Sequence, residues 1–585
     1  MFLRTLFMLS AAVSVAAPAM AQNDFVGEWQ ARYHEDQAER IPGPEIGDYL
    51  GLPITDAARL RADSWDASIA TLPEWQCRPH PADYGTRGPA DLRIWKDVDP
   101  LTQRVIAYHT HVQWQAQERT IWMDGRLEPP ADAPYTWQGF STGKWEGNTL
   151  TVVTTRLKEG YIRRNGVPRS DRATLVEHWI RHGDFLTLVS IINDPVYLTE
   201  PFMRTTNWQL APQQAIDPYP CEVAEEIQRP EGAVPHHLPG TNPFLFEFAH
   251  RFHLPEQATR GGAETMYPEY RANMNHTPRP AEVGPTAPGA SPAEIHVQHV
   301  RGNIYMLSGA DGNITISAGP DGVLLVDTGV KEKAGQVLAE VKKLSNQPIR
   351  YLINTHLHPD HTGGNETIAK MGQTIAGGDV TNLTDDAREG AKVIAHQNVL
   401  NRMSAPGGKT PPSPFGMLPT DTYFGARKDL FFNDEGVRIL HPKAAHTDGD
   451  SIVFFRRSDV ISTGDIFTTD LYPIIDLEVG GSIQGEIDAL NQILELVIPA
   501  RNEEAGTYIV PGHGRLSDAA EVAYYRDMVT IIRDRILNMK KKGMTLEQVK
   551  AARPTGDYDP RWGADSGFWT TDMFVEAVYK SLGGM

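Results

Sequence analysis

Cysteine is almost absent from this chain. Only Cys77 and Cys221 occur in 585 residues, which excludes a framework of several disulfides and leaves either one bridge or two buried thiols. Basic residues are outnumbered, 55 Lys and Arg against 74 Asp and Glu, for a net charge of −19. A surface of that sign excludes nucleic acid as a partner, because phosphates need a basic face. The excess is not gathered into an acidic tail, so it reads as a solvated acidic surface. No internal repeat is evident. Long apolar runs are missing everywhere except near residues 6–17, and that run is too short to span a bilayer. It follows Arg4 and leads to Ala19-Met20-Ala21, the pattern of a cleaved secretory signal over 1–21. The expectation is a periplasmic or secreted protein with no stable membrane anchor after cleavage. An uncleaved anchor is the lesser alternative, and no Cys follows the cleavage site for lipid attachment.

What is present divides by texture. Residues 23–228 hold ten of the twelve tryptophans, and their Thr-, Val- and aromatic-rich runs are separated by turns. The stretches 174–181 and 185–192 flank His182-Gly183-Asp184, a hairpin signal. This predicts a mainly-β domain, an antiparallel sheet or barrel of lipocalin-like form. Its tryptophans serve either a ligand cavity or a core. His109 and His111 share one strand face, with no acidic or sulfur partner nearby to complete a metal set. Residues 229–293 read as a connector, with a Pro-, Ala- and Gly-rich linker at 277–292.

From residue 294 strands and helices alternate. A buried strand at 323–326 runs into Asp327-Thr328-Gly329. Another at 349–354 runs into Thr355-His-Leu-His-Pro-Asp-His-Thr-Gly-Gly-Asn365, at the strand end where α/β architectures collect ligands. His356, His358, Asp360 and His361 crowd into six residues there. Buried without a partner, such groups are costly. A cation is the usual solution, and imidazole with carboxylate suits zinc, iron or manganese. His446, Asp465 and His513 each sit close to a glycine where an apolar run starts or stops, and are the remaining ligand candidates.

Together, Asp327-Thr328-Gly329, His356-x-His358-x-Asp360-His361, His446, Asp465 and His513 resemble the metallo-β-lactamase fold superfamily over residues 294–540. The resemblance implies an α/β fold, an αββα sandwich. It implies His356, His358 and His446 on one metal, Asp360, His361 and His513 on a second, and Asp465 between them, with Asp327 orienting the imidazoles. Two Zn²⁺ are the implied cofactors, with iron or manganese as substitutes. A segment at 541–585 reads as a C-terminal helical extension.

The β-lactamases of this fold carry Cys or Ser at the position of Asp465. The Asp resembles instead the glyoxalase-like, lactonase and phosphodiesterase branches. His358 stands where flavo-diiron relatives carry Glu. The implied activity is hydrolysis of an ester, lactone, amide or phosphoester-type bond of a small molecule by a hydroxide shared between two metals. Asp360 would orient the nucleophile or move its proton. Tyr472 is a candidate to stabilise a developing oxyanion. His396 and Asn398 lie near a candidate covering loop at 404–414, and His441 falls outside the ligand set. The alternatives are a mononuclear iron oxygenase of the same fold, a β-lactamase-like amide hydrolase, and a ligand-binding protein with a vestigial metal domain.

Overall fold

The computed structural model describes residues 24–32, 44–87, 90–113, 117–126, 128–130, 132–217, 219–270, 294–374, 390–405, 412–500 and 506–584. The expected signal at 1–21, the linker at 277–292 and residues 406–411 of the expected covering loop lie outside them.

The N-terminal region closes into a barrel. Its strands are β1 (Gly27–Arg32), β2 (Leu92–Val98), β3 (Val105–Val112), β4 (Arg119–Trp122), β5 (Phe140–Glu146), β6 (Thr149–Thr155), β9 (Thr174–His182), β10 (Phe185–Asn193) and β11 (Phe202–Leu210). The closed order is β1-β11-β10-β9-β6-β5-β4-β3-β2, and a small excursion pairs β7 (Gly160–Tyr161) with β8 (Pro168–Arg169). The hairpin expected around His182-Gly183-Asp184 is there, with Phe185 opposite His182. Closure leaves the sheet no free edge. The form differs from a lipocalin-like barrel, which is eight-stranded and up-and-down. Here, among the described residues, nine strands close the ring and β4 pairs with β5 in parallel. Trp29, Trp179 and Trp208 are fully buried in a common apolar cluster, and the last two stack at 6.1 Å. These three tryptophans therefore fill a core. Inside it, Arg119 meets Glu177, Ser141 and Thr154, so its buried charge is paired and hydrogen-bonded. His109 bonds Asp97 at 2.9 Å and stacks on Trp95, a surface pairing and not a metal set.

The C-terminal region has four layers. One sheet runs β12 (His296–Arg301), β13 (Ile304–Ala310), β14 (Gly312–Gly319), β15 (Gly322–Val326), β16 (Ile349–Ile353), β17 (Lys392–His396) and β18 (Asp421–Tyr423). Its last three pairings are parallel. The other sheet runs β19 (Arg427–Phe432), β20 (Glu435–Leu440), β21 (Ile452–Phe455), β22 (Val460–Ser462), β23 (Tyr508–Val510) and β24 (Ser517–Asp518). Leu324, Val326, Ile353 and Ile394 of the first sheet meet Val437, Ile439, Val453 and Val510 of the second in a single buried cluster. Alternation along the strands sends the opposite faces outward to helices. On one side Val323 and Leu325 pack on Val337 and Val341 of the helix Ala334–Leu344. On the other, Ile452, Ile461 and Ile509 pack on the helices Ile483–Leu496 and Ala519–Lys541. This is the expected αββα sandwich.

The segment 541–585 belongs to that packing. Phe574, Val575 and Val578 of the helix Thr571–Ser581 join the same core as Ile487 and Ile532. The capping box at Thr545 and Gln548 opens the helix Leu546–Ala551.

The two regions are joined by buried polar contacts. Lys158 pairs with Asp518 at 2.8 Å, Trp75 donates to Asp527 at 2.9 Å, and Arg535 donates to Ser64 at 3.0 Å. Ile69 and Leu72, from the connection between β1 and β2, enter the C-terminal core. Cys77 and Cys221 form a disulfide, which resolves the choice between a bridge and two thiols.

Candidate metal centre

The site forms where apolar strands stop. β15 ends at Val326, and Asp327 follows with φ of +67°, a left-handed conformation that Asp tolerates better than most side chains. Its carboxylate is then aimed across the strand end. Oδ1 accepts from the Thr355 amide and Oδ2 from the Thr355 hydroxyl, each at 2.7 Å, while Oδ2 also lies 2.8 Å from His361 Nδ1. β16 ends at Ile353, and the short helix Pro359–Thr362 turns His358, Asp360 and His361 towards one point. Asp465 follows β22 and His513 follows β23, the parallel neighbour of β22. The two turns touch at Gly512, where a Cβ would lie 2.0 Å from Asp465 Oδ1. Any side chain there would expel the carboxylate.

All seven expected ligands converge, in two sets. His356, His358, His446 and Asp465 form one, and Asp360, His361, His513 and Asp465 the other, with the ligand atoms of each set within 4.8 Å of one another. Asp465 is divided between them. Its Oδ2 is 3.8 Å from Nε2 of both His356 and His446, and its Oδ1 is 3.1 Å from His361 Nε2 and 3.4 Å from His513 Nε2. Asp360 Oδ2 lies 3.3 Å from His361 Nε2 and 3.1 Å from His513 Nε2. His356, His361 and His446 are fully buried, whereas the side chains of His358, Asp360 and His513 are each 25% exposed. One side of the centre is therefore open.

The outer nitrogens are held. His361 Nδ1 meets Asp327, His356 Nδ1 meets the Thr355 hydroxyl at 3.1 Å, and His446 Nδ1 meets the Ile474 carbonyl at 2.5 Å. His358 uses its Nε2 on Asp476, at 3.1 Å, which leaves Nδ1 facing His446. Such bonds fix ring orientation and tautomer for ligation. His356 Nε2 and Asp465 Oδ1 are buried atoms without a hydrogen-bond partner. A cation satisfies both, so the residues fit metal ions.

The electrostatics agree with that fit. Burial, then the neighbouring His361, holds the His356 imidazole well below its ordinary range, and burial pushes His446 down to about 4. Both are neutral and free to ligate. For His513 burial opposes charging, but the Asp465 and Asp360 carboxylates outweigh it and raise the imidazole to about 10. His361 is raised likewise against burial, by Asp465, Asp327 and Asp360. In the metal-free protein these two carry protons that a metal must displace. Burial would raise the Asp360 and Asp465 carboxyls, yet the adjacent imidazoles hold both below the usual range.

Tyr472 is not part of the centre. It is fully buried, its hydroxyl donates to Asp559 at 3.0 Å, and its ring stacks on Phe574 at 4.6 Å. The turn after Asp465 sends this side chain into the helical core, where no oxyanion can reach it. His396 and His441 stack on each other at 3.5 Å, and His441 lies outside both ligand sets. Asn398 donates to the Asp448 carbonyl at 2.6 Å, so these residues shape the neighbouring loop. Sequence reasoning missed Asp476, whose position on His358 is marked by no spacing. It also missed Asp450, which accepts from the Thr447 amide and hydroxyl and pins the turn after His446. Burial raises that carboxyl to about 7.

Residues 308–513 match the family model of the metallo-beta-lactamase superfamily. This region is a metallo-beta-lactamase superfamily domain. The metallo-beta-lactamase domain contains all seven convergent residues. A 57-residue stretch of the chain is 39% identical to a linear primary-alkylsulfatase of Pseudomonas sp. (strain ATCC 19151), covering 10% of this chain and 11% of that protein. Among solved structures, a stereoselective inverting sec-alkylsulfatase from Pseudomonas sp. aligns at 17% identity and TM-score 0.38, over 50% of each chain. A metallo-beta-lactamase from Pontibacter korlensis aligns at 16% identity and TM-score 0.30, over 40% of this chain and 99% of that one. The chain thus spans about a tenth of the curated relative and half of the sulfatase structure.

Proposed function

We propose that this protein is an exported, two-zinc hydrolase that cleaves sulfate esters of small organic alcohols. The observation that carries the metal reading is the division of Asp465 between two histidine sets beside two unsatisfied buried ligand atoms. Seven ligands in two groups favour a pair of ions over the single-iron alternative. The substrate class is supported by the local likeness to the linear primary-alkylsulfatase; Asp465, where the β-lactamases of this fold carry Cys or Ser, argues only against a β-lactam. Export is supported by the leader-like residues 1–21 and the disulfide.

His356, His358 and His446 would hold one ion, Asp360, His361 and His513 the other, and Asp465 both. Bound there, divalent ions acidify water and polarise an ester oxygen. The chain's own residues supply position. Thr355 and Asp327 lock the buried imidazoles, and Asp476 locks His358 at the open side. Asp360, ionised and partly exposed, would orient the attacking water or move its proton. The net reaction converts a sulfate monoester and water to the alcohol and hydrogen sulfate.

A hydrolysis panel on the metal-loaded protein tests this, with a linear alkyl sulfate, a β-lactam, a lactone, a thioester and a phosphodiester. The expected result is release of inorganic sulfate that disappears in His356→Ala. Turnover of another ester with no sulfate released would refute the substrate class. Undiminished activity of His356→Ala would refute the site.

A further inference from the structure

The barrel region meets the edge of the metal centre at a buried carboxylate. Asp171 lies in the turn between β8 and β9 and is buried. Its Oδ1 accepts from Arg561 Nε at 2.7 Å, and its Oδ2 from Arg561 Nη2 and Arg515 Nη2, each at 2.9 Å. Both cations continue towards the ligands. Arg561 Nη2 also donates to the Thr469 carbonyl at 2.9 Å, and the Arg515 amide donates to the Thr469 hydroxyl at 2.9 Å. The Thr469 amide donates to the His513 carbonyl at 3.3 Å. The turns after Asp465 and around His513 are thus tied to each other and, through two guanidiniums, to Asp171. They pack without slack, since a Cβ on Gly514 would lie 2.0 Å from the Thr469 hydroxyl. The Arg515 guanidinium also lies 3.7 Å over the ring of Tyr135, from the barrel region.

The two ligand sets differ in this respect. The histidines of the His356, His358 and His446 set are held by Thr355, Asp476 and the Ile474 carbonyl, all within the metallo-beta-lactamase domain. The turn carrying His513 is held within the domain too, where Asn313 Nδ2 donates to the Pro511 and Gly514 carbonyls, each at 3.0 Å, and it is tied in addition to Asp171 outside that domain. Bidentate guanidinium–carboxylate pairs fix geometry in two directions, and a ligand's outer contacts commonly set metal affinity.

We propose that Asp171 is a positioning residue for the second metal: the barrel region holds His513 in place, and the Asp360, His361 and His513 set depends on it. The inference rests on the two-metal reading and adds the dependence of one site on the other region of the chain.

Cobalt titration of the full chain, followed by its d–d absorption, tests the proposal because each equivalent is read separately and no turnover is needed. Wild type, Asp171→Asn and Thr469→Val are compared. Wild type should bind two Co²⁺. In Asp171→Asn the second equivalent should weaken by about 10- to 100-fold while the first is unchanged. Thr469→Val keeps the Asp171 pairs and the backbone bonds through Thr469 and removes the hydroxyl that accepts the Arg515 amide, so it should show a smaller selective loss of the second equivalent, and that loss or its absence decides the matter should Asp171→Asn not fold. A lower unfolding temperature with both equivalents bound as in wild type would mean that Asp171 only joins the two regions, and would overturn the proposal. A single Co²⁺ in wild type would overturn the two-metal reading, and this inference with it.

Discussion

Asp327 Oδ2 lies 2.8 Å from His361 Nδ1, and the same carboxylate accepts both the amide and the hydroxyl of Thr355. One residue outside the ligand set therefore orients His361 directly and His356 through Thr355. Asp327→Asn should keep the shape but replace an acceptor with a donor against His361. Metal affinity should fall about 10- to 100-fold, measured by competition with a chromophoric chelator. Wild-type affinity would show that the backbone alone positions the rings.

Glu486 is buried on the helix Ile483–Leu496, and neither carboxylate oxygen has a hydrogen-bond partner. Burial, then Asp450 and Asp465, raises its carboxyl well above the usual range. The sign follows from linkage. An acid whose folded pKa is raised keeps its proton in the native state after the unfolded chain has lost it, so stability falls as pH rises above the ordinary Glu value. The slope is at most about 1.4 kcal/mol per pH unit. In the metal-free protein, Glu486→Gln should therefore be more stable than wild type at pH 8 and close to it at pH 4. Thermal unfolding at the two pH values checks this, and an equal difference at both would contradict it.

The Cys77–Cys221 bridge spans a sequence separation of 144 residues. Loop-closure entropy for that span corresponds to a stabilisation of about 5 kcal/mol, a ceiling because unfolded chains retain structure. Cys77→Ser with Cys221→Ser should lower the urea midpoint clearly while leaving metal content at the wild-type level, since neither cysteine belongs to a ligand set. An unchanged midpoint would show that the buried ion pairs alone hold this part of the chain.

Part of this protein is legible in its sequence for a definite reason. His356, His358, Asp360 and His361 share one strand end, so their meeting is a local property. Asp465 and His513 follow strands that become parallel neighbours, and the apolar runs before them mark those strands. The barrel's existence is readable from β-branched and aromatic runs, but its closure and the parallel β4–β5 pair are not, because pairing partners are non-local. Tyr472 shows the limit. Its closeness in sequence to Asp465 suggested the pocket, but side-chain direction is set by the helices Asp559–Trp562 and Thr571–Ser581, about a hundred residues later. Asp171 and Arg561 are 390 residues apart, and no spacing could have joined them.

The most direct test of the account is the metal content of purified, zinc-reconstituted protein, wild type beside Asp465→Ala. The bridging geometry of Asp465 predicts two zinc ions per wild-type chain and the loss of both from Asp465→Ala, because each set loses its shared ligand. One ion in wild type, or two retained by Asp465→Ala, would contradict it.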